Sequence, residues 1–315
     1  MCVAGAAAGA PPARGAQEVP TFGATTELVY VRFHVEKKGD YVGSVTKDQL
    51  RVLEDGRPRP IALLETPSTR VRTVPPEITL ALDVSSSVMD ERLLDERMVR
   101  DVLFASLSEQ ARVGLCAFGG ELRCPTPATR DAEAVLAGFR QALRFGVETR
   151  RSGTRLYASL AEIARAAGGE QAAQRAVVVF SDGLDNQGGD VEEAIEAARG
   201  SDVRVYSVTL SQAFQGTGRK VPAFGRPPDR AMFDYRKLDL ARLARETGGR
   251  NFEPGTLDER TLADILRRIA TEITMELVIG YQPEGAPTGR ERKVEVKLVD
   301  RSLGKIRGGE RTLVR

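Results

Sequence analysis

The run Ile78-Thr79-Leu80-Ala81-Leu82-Asp83-Val84-Ser85-Ser86-Ser87 decides the fold of this chain. Its first five residues form an apolar stretch typical of a buried strand, and polar side chains follow directly. The same change occurs after residues 176–180, where Ser181-Asp182-Gly183 comes next. The carboxyl ends of parallel strands meet at one edge of an open α/β sheet, where such folds bind ligands. We therefore expect Asp83 and Asp182 to lie close together.

Strand-like and helix-like segments alternate along the middle of the chain, which predicts a Rossmann-like α/β fold with a mostly parallel central sheet flanked by helices. The predicted strands are 78–83, 112–118, 121–124, 176–180, 202–210 and 250–252, and the predicted helices are 90–108, 131–143, 155–167, 191–199, 238–246 and 257–273.

Both ends of the chain show β patterns instead, at 27–35, 51–54 and 61–65 and again at 276–281, 293–299 and 305–306. We expect these segments to pair into one small β domain. The predicted division is a disordered tail or signal-peptide remnant (1–20), an N-terminal β segment (21–75), the α/β domain (76–272) and a C-terminal β segment (273–315).

Composition narrows the class of partner. The 315 residues include 46 Lys and Arg against 44 Asp and Glu, for a net charge of +2, and no Trp. Such a balance offers no basic stripe for a phosphate backbone and few aromatic rings for base stacking, so we expect no nucleic-acid partner. No run approaches the ~20 apolar residues of a membrane-spanning helix, so we expect no transmembrane segment.

The chain holds one histidine and three cysteines. His34 lies in a predicted strand away from the candidate site, which excludes His-based triads and His-rich metal sites. Cys2, Cys116 and Cys124 form no zinc pattern. Cys116 and Cys124 flank a tight turn at 119–120, and we favour two buried thiols there over a disulfide across the hairpin.

Five side chains with oxygen donors form the candidate metal site. Alternation in an extended segment sends residues 83, 85 and 87 to one side, and Thr154 opens a predicted helix. Hard oxygen donors without nearby Cys or His suit Mg²⁺, with Mn²⁺ or Ca²⁺ as alternatives. The predicted ligands are Asp83, Ser85, Ser87, Thr154 and Asp182.

These residues resemble the metal-ion-dependent adhesion site of von Willebrand factor type A (vWA) domains, and the order of elements from about 77 to 271 is similar to that fold. The flanks, Val52-Leu53-Glu54-Asp55-Gly56 and Gly280-Tyr281, resemble a bacterial (acidobacterial-type) family of secreted, vWA-related proteins. The resemblance implies that the three hydroxyls bind the metal directly and that the two aspartates hold it largely through water. It also implies that a partner's Asp or Glu completes the coordination.

The chain departs from the family pattern at two places. Ser152-Gly153-Thr154 stands where Gly-Gly-Thr is usual, which keeps the hydroxyl ligand but affects the loop. The segment 211–237 has no clear period and follows a predicted strand end, from which it could overhang the site. We expect Asp185 and Asn186 to be solvated loop residues, with a role in shaping the rim of the site as the alternative.

No nucleophile is paired with a base, so we expect a non-catalytic, metal-dependent protein-binding module. One alternative is a structural subunit of a larger assembly, with a metal that rigidifies the loops. The other is a Mg²⁺-dependent phosphoryl-transfer enzyme with Asp83 as nucleophile, but Ser85 stands where that chemistry wants a second carboxylate.

Localisation follows from the N-terminal residues and the resemblance. Residues 1–12 are small and weakly apolar without a basic start, so a clipped signal peptide and a disordered Ala/Gly tail are both open. We expect export to the periplasm, the cell surface or the medium, with the cytoplasm as the alternative.

Overall fold

The computed structural model describes residues 28–69, 76–89, 95–107, 109, 111–149, 152–167, 174–209, 239–254, 258–285 and 289–314. Residues 311–314 are described as backbone alone. The predicted N-terminal tail and the 211–237 segment lie outside the described residues. Within the described ranges no helix is long and apolar enough to cross a membrane.

The strands are β1 (Val29–Lys37), β2 (Asp40–Tyr41), β3 (Leu50–Glu54), β4 (Arg57–Arg59), β5 (Ile61–Glu65), β6 (Glu77–Asp83), β7 (Arg112–Phe118), β8 (Leu122–Thr129), β9 (Arg175–Ser181), β10 (Val203–Thr209), β11 (Asn251–Phe252), β12 (Leu277–Tyr281), β13 (Glu291–Leu298), β14 (Lys305–Gly308) and β15 (Glu310–Val314). The helices are α1 (Ser86–Met89), α2 (Ala132–Glu148), α3 (Leu156–Ala167), α4 (Val191–Gly200), α5 (239–246) and α6 (Glu259–Thr274), with a π-helical segment at Met98–Phe104.

The central sheet has the order β11-β10-β9-β6-β7-β8, and its neighbours are parallel except at the β7–β8 hairpin. Alternate residues of β6 and β9 face opposite sides, so both faces of the sheet are buried. Leu80 and Val178 pack on one face with α2 and α6, while Ala81 and Val179 pack on the other with α3 and α4. This is a Rossmann-like α/β fold.

The larger departures from the prediction in the central domain concern two helices and one strand. Residues 90–94 and 108 of the predicted helix 90–108 lie outside the described residues, and Met98–Phe104 is π-helical. α2 runs five residues further than its predicted end, to Glu148, and Asp131 caps its first turn by accepting from the amides of Glu133 and Ala134. β8 continues past residue 124 to Thr129 despite Pro125 and Pro127, because an edge strand tolerates the loss of outward N–H donors.

Two antiparallel sheets combine segments from both ends of the chain. One has the order β14-β1-β12-β5 with β2 beside β1, and the other the order β15-β13-β3-β4. They share an apolar core that includes Phe33 and Ile279 from the first sheet and Val52 and Val296 from the second.

The first of these sheets contacts the central domain at the amino-terminal ends of the central strands. Glu276, 1% exposed, lies 3.3 Å from an Arg32 guanidinium nitrogen on β1 and also pairs with Arg204 on β10. Beside it, Glu272 accepts from Tyr41 and pairs with Arg250 at 2.6 Å. The contact is therefore at the edge of the central sheet opposite Asp83 and Asp182.

Candidate metal centre

Asp83 is the last residue of β6 and is 3% exposed. Its Oδ1 accepts from the Ser85 amide at 2.9 Å, and its Oδ2 accepts from the Ser181 hydroxyl at 2.6 Å. Ser181 ends the neighbouring strand β9, so this bond fixes the carboxylate between two strand ends. Ser181 was not among the predicted site residues, although its place directly before Asp182 was a signal that could have identified it.

Asp182 provides the second carboxylate and is 7% exposed. Its Oδ1 accepts from the Leu184 amide at 2.9 Å. Burial and the neighbouring Asp182 charge raise the pKa of the Asp83 carboxyl to about 7. Two carboxylates that are shielded from water repel each other, and a cation beside both would offset that repulsion.

The hydroxyls of Ser85 and Ser87 lie 3.3 Å apart beside Asp83. The prediction that strand alternation sends residues 83, 85 and 87 to one side is wrong, because the extended segment ends at Asp83 and residues 86–89 are helical. A turn into α1, rather than strand alternation, brings the two hydroxyls together.

Thr154 lies just before α3 and is 1% exposed. Its amide donates to Asn186 Oδ1 at 2.8 Å, and the Asn186 amide donates to the Thr154 carbonyl at 3.1 Å. The Thr154 loop is therefore joined to the loop that follows Asp182.

The side chains of Asp185 and Asn186 accept hydrogen bonds from the backbone of neighbouring loops, whereas purely solvated residues would bond only to water. Asn186 is exposed but makes the two bonds to Thr154, and the Asp185 carboxylate accepts from the Tyr157 amide at 3.0 Å. It also accepts from the amides of Gln187 and Gly189 at 3.0 and 3.2 Å. Short polar side chains bond to nearby backbone readily, and here they connect two loops of the site.

Gly153 and Ser152 set the shape of the Thr154 loop. Gly153 has φ +81°, and a Cβ there would lie 2.6 Å from Asn186 Oδ1, so glycine is required. The Ser152 hydroxyl donates to the Thr149 carbonyl at 2.6 Å and accepts from the Gly120 amide at 3.2 Å. The serine that replaces the usual glycine thus attaches the loop to the β7–β8 turn.

Cys116 on β7 and Cys124 on β8 form a disulfide, so the prediction of two buried thiols is wrong. The pairing of β7 with β8 shifts register between Leu115 and Ala117, which brings the two cysteines opposite each other across the hairpin. That geometry depends on the bulge and cannot be read from the eight-residue spacing.

The donor set fits a hard divalent cation. It offers two carboxylates and three hydroxyls, and the chemistry of these groups suits Mg²⁺, Mn²⁺ or Ca²⁺. Among the described residues no three His, Cys, Asp or Glu side chains converge on a metal position, so the hydroxyls are essential to the candidate site.

Comparison with known proteins identifies the central domain. The family model described as the von Willebrand factor type A domain matches residues 77–243. A comparison with curated proteins finds no match.

Solved structures resemble the chain more distantly. An aerotolerance-related membrane protein from Bacteroides fragilis NCTC 9343 is 18% identical and has a TM-score of 0.44, over 62% of this chain and 99% of that one. A von Willebrand factor type A protein from Catenulispora acidiphila is 12% identical and has a TM-score of 0.44, over 92% of this chain and 74% of that one. Proximal thread matrix protein 1 of the mussel byssus, with a zinc-occupied metal-ion-dependent adhesion site (MIDAS) motif, is 16% identical and has a TM-score of 0.41. That match covers 64% of this chain and 48% of the other. Similarity this distant carries no information about the ligand or partner of this chain.

Proposed function

Because this chain belongs to the von Willebrand factor type A family, we propose that it is a non-catalytic module that binds a protein partner through a divalent cation. The cation is Mg²⁺, with Mn²⁺ and Ca²⁺ as alternatives, and a carboxylate of the partner's Asp or Glu completes its coordination. The observation that carries the proposal is the pair of buried carboxylates, Asp83 and Asp182, beside the Ser85 and Ser87 hydroxyls.

Each group has a proposed role. Ser85, Ser87 and Thr154 bind the cation directly, and Asp83 and Asp182 hold it largely through water. Neutral hydroxyl ligands leave most of the ion's charge unneutralised, and a buried cation of that kind attracts an incoming carboxylate. The hydrogen bonds of Asp83 to Ser85 and Ser181 support this role, because they hold its carboxylate in position before any ion arrives.

The same bonds weigh against phosphoryl transfer. Both Asp83 oxygens already accept hydrogen bonds, which makes the carboxylate a weaker nucleophile. Position 85 supplies a hydroxyl rather than a second carboxylate. These two features favour binding over catalysis.

The proposal extends to domain organisation and location. We propose a division into a tail (1–20), an N-terminal β segment (21–75), the α/β domain (76–272) and a C-terminal β segment (273–315). The strand pairing across both chain ends supports joining the two β segments into one β domain.

We also propose that the protein is exported. The Cys116–Cys124 disulfide supports this location, because disulfides persist mainly in oxidising compartments. The resemblance to the secreted bacterial family stays a prediction.

Selection of random peptides displayed on phage tests the recognition chemistry. The full chain is immobilised in Mg²⁺, and bound phage are eluted with EDTA. We expect the recovered peptides to share an Asp or Glu whose change to Asn or Gln abolishes binding. Recovery of metal-independent peptides alone, or of peptides without a required carboxylate, would contradict the proposal.

A further inference from the structure

We propose that the Cys116–Cys124 disulfide is a thiol-exchange site whose reduction weakens cation binding at the Asp83 site. This inference rests on the proposed function and adds regulation to it. It depends on three features of the hairpin: the exposure of Cys124, the irregular strand pairing around the disulfide, and the contacts of the end of β7 and the turn with the ligand loops.

A thiol can reach one end of the disulfide. Cys124 is exposed on the edge strand β8, whereas Cys116 is 6% exposed on β7. Attack by an external thiolate is therefore directed to Cys124 Sγ.

The regular strand pairing is weak where the disulfide lies. The register of β7 and β8 shifts twice, between Val113 and Leu115 and between Leu115 and Ala117. Pro125 directly follows Cys124 and has no amide hydrogen to donate. The disulfide is the covalent connection across this irregular part of the hairpin, so its loss frees the turn more than it would in a regular ladder.

The end of β7 and the turn that follows it hold the two ligand loops by hydrogen bonds. The Val84 amide, between Asp83 and Ser85, donates to the Phe118 carbonyl at 2.9 Å. The Arg155 amide, next to Thr154, donates to the Gly119 carbonyl at 2.8 Å.

Packing reinforces these bonds at Gly120. A Cβ at this position would lie 2.5 Å from Ser152 Cβ, so the turn and the Thr154 loop are in close contact. A displacement of the turn is therefore transmitted to Thr154, and a displacement of the end of β7 at Phe118 is transmitted to Asp83 and Ser85.

The exchange consumes one external dithiol. Its thiolate attacks Cys124 Sγ, the S–S bond breaks, and Cys116 leaves as a thiolate that takes up a proton. The second thiol of the reductant then attacks the mixed disulfide, and Cys124 is released as a thiol. Two electrons and two protons pass to the protein, and the reductant leaves as a disulfide.

We expect loosening rather than loss of the hairpin, because Arg123 still packs over the Phe145 ring at 4.3 Å. Contacts that orient metal ligands are typically worth 10- to 100-fold in affinity, so we expect about a tenfold weaker affinity on reduction.

Titration of Mn²⁺ alone into the full chain tests the inference, with free Mn²⁺ followed by electron paramagnetic resonance. A Cys2→Ser background leaves two cysteines to count. The oxidised protein is compared with protein reduced by dithiothreitol and desalted without air, and with the double variant Cys116→Ala/Cys124→Ala. Thiol labelling verifies reduction. We expect the reduced protein and the double variant to bind about tenfold more weakly than the oxidised protein.

The outcomes separate this inference from the proposed function. Equal Mn²⁺ affinity in the oxidised and fully reduced protein overturns the inference and leaves the proposed function standing. No Mn²⁺ binding in the oxidised protein overturns both. A loss of the far-ultraviolet circular dichroism signal on reduction also overturns the inference, because the disulfide would then hold the whole fold rather than the hairpin.

The amides of the hairpin contacts provide a readout independent of metal. In reduced protein we expect faster hydrogen exchange at Val84, Gly120 and Arg155 and unchanged exchange in the central strand β9. Unchanged exchange at all three amides would overturn the link between the disulfide and the ligand loops.

Discussion

Replacing Thr154 with valine is expected to lower the affinity for Mg²⁺ and Mn²⁺ by about 100-fold, since loss of a direct ligand should cost at least as much as loss of its supporting contacts. Valine keeps the volume of the buried side chain and removes its hydroxyl. The backbone bonds between Thr154 and Asn186 do not involve that hydroxyl, so the fold should persist. Isothermal titration with each metal measures the effect.

Thr154→Ser is the matched control, because it keeps the hydroxyl and should keep most of the affinity. Equal affinity in wild type and Thr154→Val would show that this residue is not a ligand. If Thr154→Val instead lost several kcal/mol of stability, in the range of a severe core change, while peptide binding survived, the structural-subunit alternative would be favoured.

Replacing Glu276 with alanine is expected to destabilise the protein by about 3 kcal/mol, because removing one partner of a buried ion pair leaves the other charge uncompensated. The side chain of Arg204, which pairs with Glu276, is 11% exposed. This partial burial lowers the pKa of its guanidinium. Arg32 and Gln174 also contact the Glu276 carboxylate. Urea denaturation monitored by circular dichroism measures the free energy of unfolding.

Glu133→Ala is the control for this prediction. Glu133 forms an exposed pair with Arg100 at 2.9 Å, and such pairs are worth less than about 1 kcal/mol. Glu276 lies at the edge of the central sheet opposite the candidate site, so metal affinity should be unchanged in Glu276→Ala at temperatures where the variant is folded. A free energy of unfolding equal to that of wild type would show that the buried cluster does not hold the β sheets to the central domain.

The central fold could be predicted because its signals are local. The apolar runs 78–82 and 176–180 are β6 and β9, and the polar residues after each run lie at the same sheet edge. The helices that follow have their apolar residues at helical spacing, which is why α3 and α4 are within one residue of their predicted bounds. These features need no knowledge of distant contacts.

The supporting contacts could not be predicted, because they join residues far apart in sequence. Ser181 bonds to Asp83 across 98 positions, and Asn186 reaches Thr154 across 32. The disulfide depends on a register shift that no sequence pattern indicates. The candidate ligand residues are thus visible in the sequence, whereas the contacts that position them are visible only in the folded chain.

Thermal unfolding with and without metal tests the central claim, that five oxygen donors form a divalent-cation site. Wild type and Asp83→Ala are each unfolded in EDTA, Mg²⁺, Mn²⁺ and Ca²⁺, so every comparison is made within one protein. A cation that binds the folded state stabilises it by RT ln(1 + [L]/Kd), about 2.7 kcal/mol at 100 times Kd. We predict a metal-dependent rise in Tm for wild type and none for Asp83→Ala. Identical wild-type curves in metal and in chelator, or an equal rise in the variant, would contradict the claim.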